Sequence, residues 1–326
     1  MIPIQIRDTE RAAIQLLKPA LETALYEADV ELEVPSEYTG VRGFFDDNIK
    51  VNKLAYAAIE EYDLPLLRTW YKYGQYEPYK EITPKSLDVG DNSDDAYVPS
   101  PLKTDVTQER IKEYLLSRDL ASMFEKDLFD FLVENYREWD PEPYTDTYVA
   151  STGIIRVLEE INTASEKEIV NNSNELWDDL KQSSIDLRYD LQSIETFDDE
   201  LHEHAQIYLR ELEDALRRID ENSEISEKQK ETMDEARTVY HNFVWPWAAL
   251  QISLDKAKGP EDSKEGFNKS GSKILEQDKT SYVTHLTGWK TQLQKDNLSP
   301  QFSARKSDSP TPTSLADLQR AALENN

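Results

Sequence analysis

The sequence predicts a mainly α fold: an N-terminal helical domain (residues 1–150), a long antiparallel coiled-coil-like helical hairpin (151–256) and a mostly disordered C-terminal tail (257–326). Three observations predict it. Apolar residues recur at helical spacing through the first region. Two heptad series in succession fill the second. From Lys258-Gly259-Pro260 onward, Ser, Lys, Asp and Gln dominate, a composition too polar to build a core.

In the first region, Asp8 and Thr9 suit the start of a helix that carries Ile14, Leu17, Leu21, Leu25 and Ala28 on one face. Pro19 is a point of kinking. Asp46 and Asp47 precede a second helix with Val51, Leu54, Ala55, Ala58, Ile59 and Tyr62. The run from Leu64 to Gly74 suits a short strand or a third helix. Residues 83–106, with Pro84, Pro99 and Pro101 and a cluster of Asp, read as a loop. Thr107 opens another helix. Arg118-Asp119 opens one that presents Leu120, Met123, Phe124, Leu128, Phe131, Leu132 and Tyr136 and ends at Pro141 and Pro143.

The second region has the clearest period. From Val170 to Ile219 one heptad register holds without a slip, through Val170, Trp177, Ser184, Leu191, Asp198, Ala205, Leu212 and Ile219 and through Ser173, Leu180, Leu187, Ile194, Leu201, Tyr208 and Ala215. Most of these are apolar and charges crowd between them, as in a coiled-coil seam. Thr196 with Asp199 offers a fresh helix start. Residues 220–226 read as a turn, and Ser226 with Gln229 has capping-box spacing. A second series follows, through Met233, Ala236, Tyr240, Phe243, Trp247, Leu250 and Leu254, with a bend expected at Pro246. The two series are expected to fold back on each other. In the tail, only Tyr282–Leu293 and Ser314–Leu323 read as short helices.

Charge bounds the function. The chain carries 65 acidic and 37 basic residues, a net charge of −28. Residues 1–150 carry 16 basic and 31 acidic side chains, residues 151–255 carry 10 and 25, and residues 256–326 carry 11 and 9. The acidity thus falls away where order is expected to end. Such a surface repels phosphate and anionic membranes, so neither direct nucleic-acid binding nor membrane association is expected. A carboxylate-rich surface suits a salt-rich cytoplasm, where repulsion is screened within about 3 Å at molar salt. The first residues, MIPIQIRD, are not a signal peptide, and no apolar run is long enough to span a bilayer. A cytoplasmic location is expected.

With no cysteine, disulfides, thiolate catalysis and Cys-held zinc are excluded. The four histidines are His202, His204, His241 and His285. His202 and His204 point away from each other on a helix, and their i,i+4 neighbours Asp198 and Glu200 read as solvated partners. The nine glycines form no phosphate loop and no nucleophile elbow. The Asp88–Asp95 cluster lacks calcium-loop spacing. No catalytic residue, metal site or cofactor is expected.

Trp70-Tyr71-Lys72-Tyr73-Gly74-Gln75-Tyr76 crowds rings and a cation around one glycine. Such a segment is either a core corner or a partner-binding patch. Lys53-Leu54 and Tyr56, then Leu64-Pro65 and Trp70-Tyr71-Lys72-Tyr73-Gly74, resemble the helical domain of the Panacea or SocA-like antitoxin family, with Gln75 where that family carries proline. The resemblance spans 50–100 residues within about 46–150. It implies an all-helical domain that recognises protein partners, such as a toxin or a protease adaptor, and no enzyme activity.

The expected function is therefore a non-enzymatic protein-interaction module, antitoxin-like or regulatory, in a salt-adapted organism. Its partner residues are Lys53, Tyr56, Trp70, Tyr71, Tyr73 and Gly74. Its seam, for a partner or a second copy, is Trp177, Leu180, Leu187, Leu191, Ile194, Leu201, Leu212, Tyr240, Phe243 and Trp247. The alternative is a structural or assembly protein, viral for example, that oligomerises through the seam.

Overall fold

The structure, a computed structural model, describes residues 6–32, 41–76, 78–79, 82–83, 86–87, 105–138, 144–193 and 199–299. It is mainly helical. Helices α1 (Asp8–Glu27) and α2 (Val41–Glu61) come first, then a hairpin of β1 (Thr69–Tyr71) and β2 (Gly74–Tyr76). Next are α3 (Gln108–Leu116), α4 (Leu120–Glu125), α5 (Leu128–Glu138) and α6 (Tyr144–Thr163). Then follow α7 (Glu166–Ser193), α8 (Asp199–Asn222), α9 (Glu227–Val239), a π-helical turn (Tyr240–Val244), α10 (Trp245–Lys256) and α11 (Glu261–Lys295).

The hydrophobic core has two lobes. In the first, α1, α2 and α3 pack with Leu64, Leu66, Leu67, Tyr79 and Phe267 of α11. The carboxylate of Glu10, fully buried, accepts from Tyr79 Oη at 2.7 Å and from Ser263 Oγ at 2.8 Å, so a buried charge is satisfied by hydroxyls from two other segments. The second lobe surrounds α6, with α5, α7, α9, α10 and the C-terminal half of α11 around it. Lys50 of α2 donates to Phe124 O and Lys126 O, both at 2.8 Å, a cation on the carbonyls that close α4.

Several elements stand where the sequence places them. Thr107 accepts from Arg110 N and caps α3. Ser226 and Gln229 form a reciprocal capping box at α9. The second helix starts earlier than Asp46, and the helix expected from Arg118-Asp119 is two, because Asp127 Oδ1 accepts from Phe129 N at 2.9 Å and starts α5 anew.

The hairpin is where expectation and structure part. The antiparallel pair is α7 with α8: Ser173, near the start of α7, donates to Asp220 Oδ1 near the end of α8 at 3.0 Å. The chain thus reverses between Ser193 and Asp199, not at the turn before α9. The second heptad series packs instead against α6 and α11, and it is not one helix. Pro246 has no N–H to give the preceding turn, and the backbone passes Tyr240–Val244 in π form, with Trp245 N bonded to Tyr240 O, before α10 begins. Of the expected seam, Leu180, Leu187, Leu191, Leu201, Leu212, Tyr240 and Trp247 are buried, while Trp177 and Phe243 are half-buried. Ile194 lies outside the described residues.

The disordered tail is also corrected. Residues 261–295 form one 35-residue helix, α11, not an isolated turn at Tyr282–Leu293. Phe267, Tyr282, Leu286, Trp289 and Leu293 are its buried face. Trp289 donates to Thr232 O at 3.0 Å, which ties it to α9. Tertiary burial of this narrow stripe stabilises a helix that its polar composition would not. The segment at 307–313 and the expected helix at 314–323 lie outside the described residues, as do Asp88–Asp95 and most of the expected loop at 83–106.

Helix α6 was not foreseen. Its Gly153 lets α7 approach so closely that a Cβ there would overlap Ser183 Oγ. Gly153→Val is expected to lower stability by about 1–3 kcal/mol. Ser183→Ala in that background should recover part of the loss. Urea unfolding of both variants checks this, and an unchanged midpoint for Gly153→Val would contradict the close packing.

Candidate functional site

The aromatic segment forms the hairpin β1–β2, with Trp70 opposite Gln75 and Tyr71 opposite Gly74. Gly74 has φ +75°, and a Cβ there would overlap the Tyr136 ring. The hairpin is pinned between the two lobes. Arg68 and Lys258 exchange backbone hydrogen bonds at 2.9 and 2.8 Å. Thr69 Oγ1 donates to Ser253 O at 2.5 Å. Gly259, at φ +131°, brings its backbone under Leu66 and Leu67, where a Cβ would stand 2.7 Å from Leu66 O.

This placement changes the expected partner patch. Trp70 is 1% exposed and packs on Tyr148 (4.8 Å between ring centres) and Tyr136 (6.0 Å). Tyr56 is buried and its hydroxyl donates to Glu60, which also holds Arg68 and Lys258. Lys53 is 3% exposed, bonds Tyr73 O and stands over the Tyr136 ring at 5.6 Å; burial holds its ammonium pKa well below the ordinary lysine value. Lys53, Tyr56, Trp70 and Gly74 are therefore core and hairpin residues, unable to touch a partner. Tyr71, Lys72 and Tyr73, half-buried, still reach the surface.

They reach it beside a cleft. Lys72 and Tyr73 line a cavity of about 620 Å³ with Asp46, Phe129, Ile155, Glu159, Asn162, Thr163, Arg237, Thr238, His241 and Asn242. A second recess of about 390 Å³ shares Phe129, Glu159 and Thr163 with it and adds Asp127, Asp130, Arg156 and Glu160. The two form one trough between α5, α6 and the end of α9, closed at one side by the hairpin turn.

Its polar groups are arranged by the elements that carry them. Arg237 on α9 donates from Nε to Glu159 Oε1 on α6 at 2.6 Å. His241, in the π turn, places Nε2 3.8 Å from the same oxygen. Lys72 donates to His241 O at 3.2 Å, and Trp245 Nε1 donates to Lys72 O at 2.5 Å, so the hairpin turn and the π turn hold each other. Burial, then the positive charges of Arg237 and Lys72, push the His241 pKa down to about 4. At neutral pH its imidazole is uncharged, and its approach to Glu159 is no ion pair. Burial also lowers the Lys72 ammonium and raises the Tyr73 phenol and the Glu160 carboxyl. Paired carboxylate, neutral imidazole, amides and hydroxyls make a surface suited to hydrogen bonding a ligand.

Sequence reasoning missed Glu159, Asn162, Thr163, Arg237 and His241 as a group. They come from α6, unforeseen, and from α9 and the π turn, far apart in sequence. Pro246 was the one local signal, since it marks an interrupted helix and π turns often sit at functional sites. The i,i+4 pairs proposed around the other histidines are helix-surface contacts: His204 lies 3.8 Å from Glu200 and against the Tyr282 ring. Among the described residues, no three His, Asp or Glu lie close enough to hold a metal ion, and no helix is long and apolar enough to cross a membrane.

The buried His241 sets a pH dependence. Its folded pKa of about 4 lies below the ordinary 6.5. As pH falls below 6.5 the unfolded chain takes up a proton that the folded one refuses until about 4, so the fold loses stability through that window, by on the order of 2–3 kcal/mol. His241→Gln should lose that much less between pH 6.5 and 4 in denaturant titrations. A decline parallel to wild type would show that His241 titrates normally.

Residues 4–117 and 79–319 match the family described as a domain of unknown function, DUF8098. These spans together take in most of the chain, which therefore belongs to that family. Nothing among curated proteins or solved structures matches it.

Proposed function

We propose that the protein is a non-enzymatic interaction module that reads a basic segment of a protein partner in the trough between α5, α6 and α9. The trough itself carries the reading. Its length, in two connected recesses, suits an extended chain rather than a compact small molecule. Phe129 and Ile155 supply an apolar floor, and Asn162, Thr163, Thr238 and Asn242 supply donors and acceptors. Asp46, Asp127, Asp130, Glu159 and Glu160 outnumber Lys72, Arg156 and Arg237 along it. A net charge of −28 steers a basic partner toward such a surface. An antitoxin-like role, with a toxin or a protease adaptor as the partner, is the form of this reading that the Lys53–Gly74 resemblance favours.

Thr163 is exposed and lines both recesses, so Thr163→Trp fills the trough without touching the core. Affinity capture in molar KCl should recover a partner with the wild-type chain and lose it with this variant at unchanged melting temperature. Capture that survives the substitution would move the interface elsewhere, and no specific partner would remove the interaction reading. A second reading, assembly through α7, is favoured by Ile185 and Tyr189, 47% and 74% exposed one turn apart. Light scattering that finds a strict monomer would dismiss it.

The acidic surface further supports operation in a salt-rich cytoplasm. The melting temperature is expected to rise from low salt to molar KCl as carboxylate repulsion is screened. A melting temperature that stays flat or falls would contradict salt adaptation.

A further inference from the structure

A separate recess of about 130 Å³ shares only Asn242 with the trough. Four rings line it: Tyr71 from the hairpin, Phe243 from the π turn, Trp247 from α10 and Tyr282 from α11. Asp278, on the exposed side of α11, lines it as well, so a carboxylate stands at the mouth of an aromatic box. None of the ion pairs among the described residues includes Asp278. Its field reaches the Lys72 ammonium and the Tyr71 phenol, raising both pKa values, but no cation is bonded to it.

Each feature selects for the same chemistry. The faces of Trp and Tyr rings carry negative potential and attract a cation within about 6 Å. The Trp247 ring already holds one ammonium, that of Lys279, at 5.7 Å; Lys279 does not line the recess and is itself paired with Glu200. An aromatic lining disfavours a strongly hydrated ion, which would have to shed its water, and favours one wrapped in methyl groups. The volume equals that of about four water molecules, room for a small head group but not for a peptide backbone or a nucleotide. The whole molecule, at −28, concentrates cations near its surface. In addition, Trp247 Nε1 and Tyr282 Oη, both in buried side chains, have no hydrogen-bond partner among the described residues, which leaves two of the four walls with unspent polar groups.

We propose that this recess is a binding site for a methylated ammonium group, carried either by a small solute or by a trimethylated lysine side chain. The rings enclose the methyl groups, and Asp278 supplies the counter-charge.

Calorimetric titration of the full chain tests it with three probes: choline, the acetylated amide of trimethyl-lysine, and 3,3-dimethylbutan-1-ol, the uncharged carbon analogue of choline. Saturable one-to-one binding of at least one cation is expected, with the neutral alcohol weaker by about tenfold or more. The tighter cation identifies the source, free solute or protein side chain. Asp278→Asn, an exposed change that leaves the core alone, should weaken the cation several-fold and leave the alcohol unaffected. Phe243→Ala, at a half-buried ring, should weaken the cation as well. The proposal fails if neither cation saturates, if the alcohol binds as well as the cations, or if Asp278→Asn binds them unchanged.

Discussion

The stacking of Tyr148 between Trp70 and Trp245 is the joint on which the rest of this molecule depends. The ring of Tyr148, on α6, meets Trp70 edge-on at 4.8 Å and Trp245 edge-on at 5.0 Å. Through that contact a hairpin from the N-terminal lobe, the central helix and the first residue of α10 share one apolar environment. Edge-to-face pairs of this kind are worth about 0.5–1.5 kcal/mol each beyond the area they bury. The geometric consequence matters more. The ring fixes β1 against α10, and the backbone pairing of Arg68 with Lys258 and the close approach at Gly259 hold the same two elements a few residues further along.

The trough inherits its geometry from this joint. Trp245, packed on Tyr148, donates to Lys72 O, and Lys72 donates to His241 O. The hairpin turn and the π turn are therefore set by the same tryptophan. A regular α-helix through residues 240–244 would rotate His241 by about 100° relative to α9 for each residue of register it gained. The π turn absorbs that shift, and His241 and Arg237 both face Glu159. The cluster sits in a partly desolvated wall, where a charge is stabilised only by its neighbours. Glu159 has Arg237 beside it, and His241 gives up its proton instead. The electrostatics follow from packing that is decided some distance away.

Much of the helical content was legible from period alone, and the reasons for the rest are physical. Helix α6 is rich in Thr, Ser and Gly, residues of poor intrinsic propensity, and it is buried on most of its faces. A helix enclosed on every side has no polar stripe to set a period. The opposite condition hid α11. Its buried stripe is narrow, and its Ser, Lys, Gln and Gly residues dominate any composition reading. The heptad register from Val170 to Ile219 was visible, but a register does not say where a chain turns back; the reversal between Ser193 and Asp199 left the seam spacing intact. The aromatic segment was legible as special and ambiguous as to side. Tyr, Trp and Lys suit a core corner and an interface equally well, and only the fold decides that Trp70 faces in and Lys72 faces the trough.

The charge distribution takes a different meaning once α11 is seen as folded. Residues 256–326 are nearly neutral, yet residues 261–295 pack along the body. Acidity is therefore not simply the mark of the folded part. The basic residues of α11 meet acidic partners elsewhere: Lys279 pairs with Glu200, and Lys290 with the largely buried Glu211 at 2.7 Å. On its other flank Asp262 pairs with Arg7. The helix thus supplies counter-charge where α8 is most acidic. Salt then acts on the molecule in two directions. It screens repulsion among the many exposed carboxylates, which favours the compact state, and it weakens the pairs that dock α11. Exposed pairs contribute only about 0–1 kcal/mol each, and pairs as sheltered as Lys290–Glu211 are screened least. Relief of repulsion over a net charge of −28 outweighs the loss of a few such pairs, so α11 stays docked by Phe267, Tyr282, Trp289 and Leu293 while its ion pairs select its register along α8.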